Sequence, residues 1–151
     1  MTFEELQRRL PNGFHDAAIR SISLDFTGQS IVIGMDLYAG VPGDQDPERY
    51  RPGTLRVASP YLFFMEAPDP RYRFVPNGSP INVDGDFVKA GQSAEVDRLL
   101  PVLPQNATAY RFFLEEWNSF VYLAGGDVTF SWDDSGLFEP VNSSSVGQHS
   151  E

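Results

Sequence analysis

The chain has 151 residues, 41% hydrophobic and 21% charged, which is enough for one packed domain and too few for two comfortable ones. With no cysteine, a disulfide framework, a thiol nucleophile and a zinc ribbon are excluded. Eleven basic residues against twenty-one acidic ones leave a formal charge of −10, which disfavours nucleic acid and anionic membrane surfaces as partners, since both are held by cations.

The first element reads as a helix. Thr2 and Glu5 form a capping box, Phe3, Leu6 and Leu10 make one apolar stripe, and Pro11-Asn12-Gly13 stops it. Two period-two segments follow. Ile22, Leu24 and Phe26 alternate with polar residues, as do Ile31, Ile33, Met35 and Leu37 beyond the turn-like Thr27-Gly28-Gln29-Ser30. Closing a hairpin there pairs Phe26 with Ile31, Leu24 with Ile33 and Ile22 with Met35 on one face. Ile19 is out of phase with Ile22, which places a bulge or the strand start near Arg20.

Residues 39–53 read as a long loop. Leu55 and Val57 belong to a third strand, and the apolar run Tyr61 to Met65 fits a strand buried on both faces. Tyr72 and Phe74 suggest a short strand, and Pro76-Asn77-Gly78 and Asp84-Gly85 suggest turns. Ser93 caps a short helix that ends before Pro101. Tyr110 to Leu114 and Phe120 to Leu123 are strands, the second leading into Gly125-Gly126, a two-residue hairpin signal. That hairpin pairs Leu123 with Val128, Val121 with Phe130 and Ser119 with Trp132. The expected architecture is β-rich α+β: a mostly antiparallel sheet of seven or eight strands, either a sandwich or one strongly curled sheet, with an N-terminal helix. Residues 1–138 are expected to form the single domain and the Ser, Asn, Gly and Gln-rich 139–151 a frayed, flexible tail.

No apolar run approaches the roughly 18 residues of a membrane helix. The first residues lack the basic and apolar regions of a secretion signal, so a cytoplasmic protein is expected. His15 and His149 are the only imidazoles, which makes a triad or a two-histidine metal site hard to build, and no cofactor is implied. Asp44, Asp46 and Glu48 lack the spacing of a calcium loop.

His15 and Asp16 are the most site-like pair, lying between helix and strand. They could form an acid–base couple, or join Glu115 and Glu116 in a small hydrolase or metal-dependent enzyme. Alternatively, Asp16 accepts backbone amides and His15 bonds locally. Glu115 and Glu116 diverge if they lie on a strand and converge only if they lie on a turn. Arg49, Arg51, Arg71 and Arg73 could bind an anion or merely balance surface acids. Phe63, Phe64, Phe112, Phe113, Trp117 and Trp132 read as core; a ligand-binding curled sheet would instead be lined by Tyr61, Phe63, Tyr110 and Phe112.

The stretch Leu10-Pro11-Asn12-Gly13-Phe14-His15-Asp16-Ala17, with Pro68-Asp69-Pro70-Arg71-Tyr72 and Trp117-Asn118-Ser119-Phe120, resembles a family of small uncharacterised bacterial proteins. Some of these are similar to immunity proteins of bacterial toxin systems. The resemblance implies a small acidic inhibitor that binds a basic toxin, often a nuclease, and carries over no catalytic residues. The leading expectation is thus a non-enzymatic acidic module that binds another protein, with the partner surface around Asp127, Asp133 and Asp134. The bland reading of the same acids is a solvated surface that aids solubility. An exposed edge strand would also support a homodimer.

Overall fold

The structure, a computed structural model, describes residues 1–40, 50–72 and 78–133. Helix α1 (Phe3–Arg9) opens with the reciprocal capping box: Thr2 Oγ1 accepts from the Glu5 amide at 3.1 Å, and Glu5 Oε2 from the Thr2 amide at 2.9 Å. Two otherwise orphaned donors are satisfied in this way. Phe3, Leu6 and Leu10 are all buried, so the apolar stripe lies on the core as its spacing requires.

Six strands follow: β1 (Ala17–Asp25), β2 (Ser30–Tyr38), β3 (Tyr50–Met65), β4 (Ile81–Phe87), β5 (Thr108–Leu114) and β6 (Ser119–Trp132). A short helix, α2 (Ala94–Leu99), capped by the Ser93 hydroxyl, lies between β4 and β5. All pairings are antiparallel, in the order β1-β2-β3-β6-β5-β4, and β4 returns to β1 through Ile81–Val83 and Ala17–Ile19. The β-rich, antiparallel, helix-first reading stands. Its seven or eight strands in a sandwich or open sheet are corrected to a closed barrel of six. The strand count falls because β3, at 16 residues, and β6, at 14, each absorb two of the short strands that the pattern suggests. The expected loop over 39–53 is corrected at 50–53, which belong to β3, and Tyr72 of the expected short strand lies in a bend; the 139–151 tail, Phe74 and the Asp44–Glu48 segment lie outside the described residues.

Three local expectations are corrected. The β1–β2 hairpin forms, but Leu24 pairs with Ile31, Ile22 with Ile33 and Ile19 with Met35. The turn takes in Phe26, so the register moves by two residues and the facing side is preserved. The irregularity lies between Ile19 and Ser21, where the phase break at Arg20 indicates it. Asp84-Gly85 is not a turn but part of β4. A Cβ on Gly85 would lie 2.6 Å from the Tyr110 hydroxyl oxygen, so this glycine makes room for a core aromatic.

Gly125-Gly126 likewise makes no hairpin; β6 runs straight through it. Neither glycine has the positive φ that a type I′ turn demands of both central residues. Instead the β3–β6 register shifts between Pro60 and Leu62 on β3, opposite Gly125 and Ala124. The buried apolar set of β6 then switches from Val121 and Leu123 to Val128 and Trp132. A hairpin and a bulge both reverse the parity of an alternating pattern, which is why the sequence suggests the wrong one. Close approach explains the glycine: a Cβ at Gly125 would sit 2.3 Å from Val57 Cγ1 and 2.8 Å from the Ala58 carbonyl oxygen.

The barrel interior is packed with side chains. Tyr110 lies at its centre, stacked on Phe3 at 4.7 Å and edge-on to Phe14, Phe87 and Phe112 at 5.6, 5.1 and 5.2 Å. Its hydroxyl donates to Gln7 Oε1 at 3.3 Å, and burial, with Asp86 and Asp84 adding to it, holds its pKa far above the usual phenol value. The α1 helix is thereby fastened to the barrel by both stacking and a polar handle.

The continuous β6 strand gives a discriminating outcome. Gly125→Ala should destabilise by about 1–3 kcal/mol through overpacking against Val57. Gly126→Ala, whose new carbon meets nothing closer than 3.7 Å, should change urea-unfolding stability by less than about 0.5 kcal/mol. Comparable losses at both positions would indicate the hairpin.

Candidate functional site

The segment after α1 carries His15 and Asp16 to the rim of the barrel. Asn12 Nδ2 donates to the His15 carbonyl at 3.3 Å, and Asp16 takes φ +52°, a conformation that asparagine and aspartate tolerate better than bulkier residues. The His15 side chain is exposed, with Nδ1 3.0 Å from Asp84 Oδ1 on β4. Glu115 and Glu116 lie on a 3₁₀ turn (Glu115–Trp117), not a strand, and they separate in function. Glu116 accepts from the Asn82 amide at 3.0 Å and from Asn82 Nδ2 at 2.6 Å, tying the turn to β4. The Glu115 pKa is raised, first by burial and then by repulsion from Asp84, Glu116 and Asp16.

An imidazole and several carboxylates thus share one rim, but they do not enclose a space. The groove beside His15 is formed with the α1 side, by Gln7, Leu10, Pro11 and Phe87 among others, and omits Asp16, Asp84 and Glu115. Among the described residues, no group of three or more His, Cys, Asp or Glu side chains is placed to hold a metal ion.

The arginine set does not gather into one patch in the described residues. Arg49 and Arg73 lie outside them. Arg51, near the start of β3, places its guanidinium 4.5 Å from the centre of the Trp132 ring. Arg71, beyond the far end of the same strand, is bound by Asp69 through Nη2 at 2.7 Å and Nε at 3.1 Å.

Asp69 also accepts from the Arg71 amide at 2.9 Å and from Asn118 Nδ2 at 3.0 Å, while its own amide donates to the Trp117 carbonyl at 2.9 Å. Two of the short motifs in the sequence, Pro68–Tyr72 and Trp117–Phe120, therefore clasp each other. Asn118 adopts φ +45° to end the 3₁₀ turn. The Arg71 guanidinium, the Arg71 amide and the Asn118 side chain together hold the Asp69 carboxyl far below the usual carboxylate range.

The acids assigned to a partner surface are on β6 or just past it. Asp127 accepts from the Met1 amino group, whose carbonyl in turn takes the Val128 amide at 2.8 Å. Asp133 is bound by Arg20 Nη2 at 3.0 Å and by the Thr54 hydroxyl at 2.8 Å; Arg20, at the β1 bulge, also grips Asp36 on β2. Asp127 thus fastens the first residue to β6, and Asp133 joins the end of β6 to β1 and β3. Asp134 lies outside the described residues.

The aromatic residues divide by face. Tyr110, Phe112 and Trp132 are buried core, and Trp117 packs partly buried against it. Phe64 and Phe113 are half-buried and belong to an outer belt, with Phe64 near Tyr122 and Phe113 near Phe120; the Arg111 guanidinium lies 4.3 Å from the Phe120 ring centre. Tyr61 and Phe63 are exposed, so Tyr61, Phe63, Tyr110 and Phe112 do not line one cavity. The run Tyr61 to Met65, read as buried on both faces, is corrected: nothing described covers Tyr61, Phe63 or Met65.

That uncovered run is the feature the sequence reading misses. Phe26 is 87% exposed, Met65 46%, Tyr61 44%, Leu24 43% and Phe63 36%. Leu24, Phe26 and Tyr61 line an open groove of about 500 Å³ between the β1–β2 tip and β3. Tyr61, Phe63 and Met65 continue along the same side of β3 by alternation. The pairing of β3 with β2 stops at Ser59 because β2 begins at Ser30, a relation between the two strands that neither segment carries by itself. No protein-family model, curated protein or solved structure matches this chain.

The Asp69 clasp has a defined pH dependence. A carboxyl whose folded pKa is depressed contributes stability that is fully present above its unfolded value, 3.8, and that is lost as pH falls through the folded value. Asp69→Asn should therefore lower the urea midpoint at about pH 7, with the gap to wild type narrowing as pH drops from about 4 to about 2.5. A gap unchanged over that range would remove the charge from the account.

Proposed function

We propose that the chain is a non-enzymatic binding protein that captures a basic protein partner, in the manner of an immunity protein neutralising a toxin. The carrying observation is the exposed group of Leu24, Phe26, Tyr61, Phe63 and Met65 at one end of a barrel whose interior is already filled. Single exposed apolar side chains are ordinary, but a contiguous group of them marks an interaction surface, and aromatic anchors supply much of the affinity at interfaces.

The −10 charge adds direction. It repels other acidic molecules, draws a basic one and speeds the encounter. Asp25 and Glu66 stand near this apolar group and enter no ion pair among the described residues. The enzyme reading of His15, Asp16, Glu115 and Glu116 has less support, because the rim they share is open and Glu116 is committed to Asn82.

The test is co-expression with the protein encoded beside this one, followed by titration of the purified pair. Rescue of growth is expected, with a Kd that weakens about tenfold or more when salt rises from about 0.05 M to about 0.5 M. Phe26→Ala should weaken the complex further, by about tenfold, without affecting folding. A neighbouring product that neither binds nor harms the cell, or a complex indifferent to salt, would overturn the reading.

A further inference from the structure

β3 has two edges, and one of them is only half used. Along Tyr50–Ala58 it is flanked by β2 on one side, and from Gly53 onward by β6 on the other. The β2 side ends with the Ser59 amide donating to the Gln29 carbonyl at 3.0 Å. Beyond that point β2 has turned back into the hairpin tip, so the ladder on this side has no further partner among the described residues. From Tyr61 to Met65, β3 is paired through β6 alone among the described residues.

The backbone groups left over can be assigned. The Glu66 amide donates to the Phe120 carbonyl at 2.9 Å, so Glu66 and Phe120 are a hydrogen-bonded pair. Hydrogen-bonded and non-hydrogen-bonded pairs alternate along an antiparallel ladder. Phe64 with Tyr122 and Leu62 with Ala124 are therefore bonded pairs, and the amides and carbonyls of Phe63 and Met65 point away from β6. They point the same way as the Ser59 amide, towards the place where β2 would lie if it were longer. Beside that place is the groove lined by Leu24, Phe26 and Tyr61.

We propose that this edge receives an extended segment of the partner as an added strand, in line with β2 and alongside Phe63 and Met65. The proposal rests on the protein-binding reading above and specifies its mode. An edge presenting unpaired amides and carbonyls is a template for another strand, and apolar side chains of the incoming segment would alternate into the groove.

Charge selects the occupant. Asp25 at the tip of β1 and Glu66 at the end of the edge carry no cation partner among the described residues, so the segment that fits alternates apolar with basic residues. A second copy of the chain would bring another −10 and the same two carboxylates to the same edge. The occupant is accordingly a basic strand of a different protein.

The experiment uses the full chain and four fluorescein-labelled octapeptides, read by anisotropy: alternating valine and lysine, alternating valine and glutamate, and two valine–lysine isomers N-methylated on opposite edges of the strand. Binding of the valine–lysine peptide is expected, with about tenfold or greater loss for the glutamate peptide and for one N-methylated isomer, the other isomer binding as the parent does. Phe63→Ala with Met65→Ala, both on exposed side chains, should weaken the parent about tenfold. Equal binding of both isomers and the parent would overturn strand addition while leaving the basic-partner reading in place. Failure of the parent peptide to bind overturns strand addition, and equal binding of lysine and glutamate peptides overturns both. A dimer of the chain dissolved by the peptide would give the edge to a second copy and overturn the choice of occupant.

Discussion

The pairing of β3 with β6 is the constraint on which the rest of the molecule depends. These two strands are the longest, and their ladder runs from Gly53 with Trp132 to Met65 with Val121. Neither strand can be straight over that length and still serve one closed barrel. The register shift opposite Gly125, where a bare Cα lets Val57 and the Ala58 carbonyl come close, is where the ladder bends. One half of the ladder builds the barrel wall with β2. The other half builds it with β5, and among the described residues the opposite edge of β3 is left open there because β2 has already turned back. The exposed apolar side chains are a consequence of the same geometry, since they lie on a strand whose second neighbour has ended.

Most of the polar residues that look chemically active hold this wall together. Asp69 and Asn118 join the loop after β3 to the turn before β6. Glu116 joins that turn to β4 through Asn82, and Arg20 draws β1 to β2 and to the end of β6 through Asp36 and Asp133. Exposed ion pairs of this kind contribute little individually. Their effect is on position: each fixes where one strand end meets another. Among the described residues, the large apolar side chains without a cover meet along the open edge of β3, beside Asp25, which accepts the Gly28 amide, and Glu66, which accepts the Tyr122 hydroxyl, neither of them in an ion pair.

Much of the framework was legible in the residues. The Thr2–Glu5 box, the Phe3-Leu6-Leu10 stripe, the Ser93 cap and the phase break at Arg20 are local features with local causes, and all four have the roles their chemistry implies. The hairpin register was off by two because a turn that takes in Phe26 keeps the same face inward, so alternation cannot distinguish it from a tighter one. Gly125-Gly126 was misleading because a bulge and a hairpin leave the same mark on an alternating pattern. β4 passed unnoticed because Asp84 and Gly85 look like a turn, and Gly85 is explained only by Tyr110, which lies 25 positions further along the chain. At the candidate site, His15 and Asp16 were visible as residues, whereas Asp84, the partner of His15, comes from a strand the pattern does not announce. The free edge was not legible because exposure of Tyr61–Met65 depends on where β2 stops, a relation between strands and not a property of either.

Amide hydrogen exchange resolved residue by residue along β3 tests the account most directly. The amides of Phe64 and Glu66, paired with β6, should exchange at least about 100-fold more slowly than those of Phe63 and Met65, which face the open side. Strong protection of all four would mean that this edge is already occupied, and that the geometry described for β3 and β6 does not hold in solution.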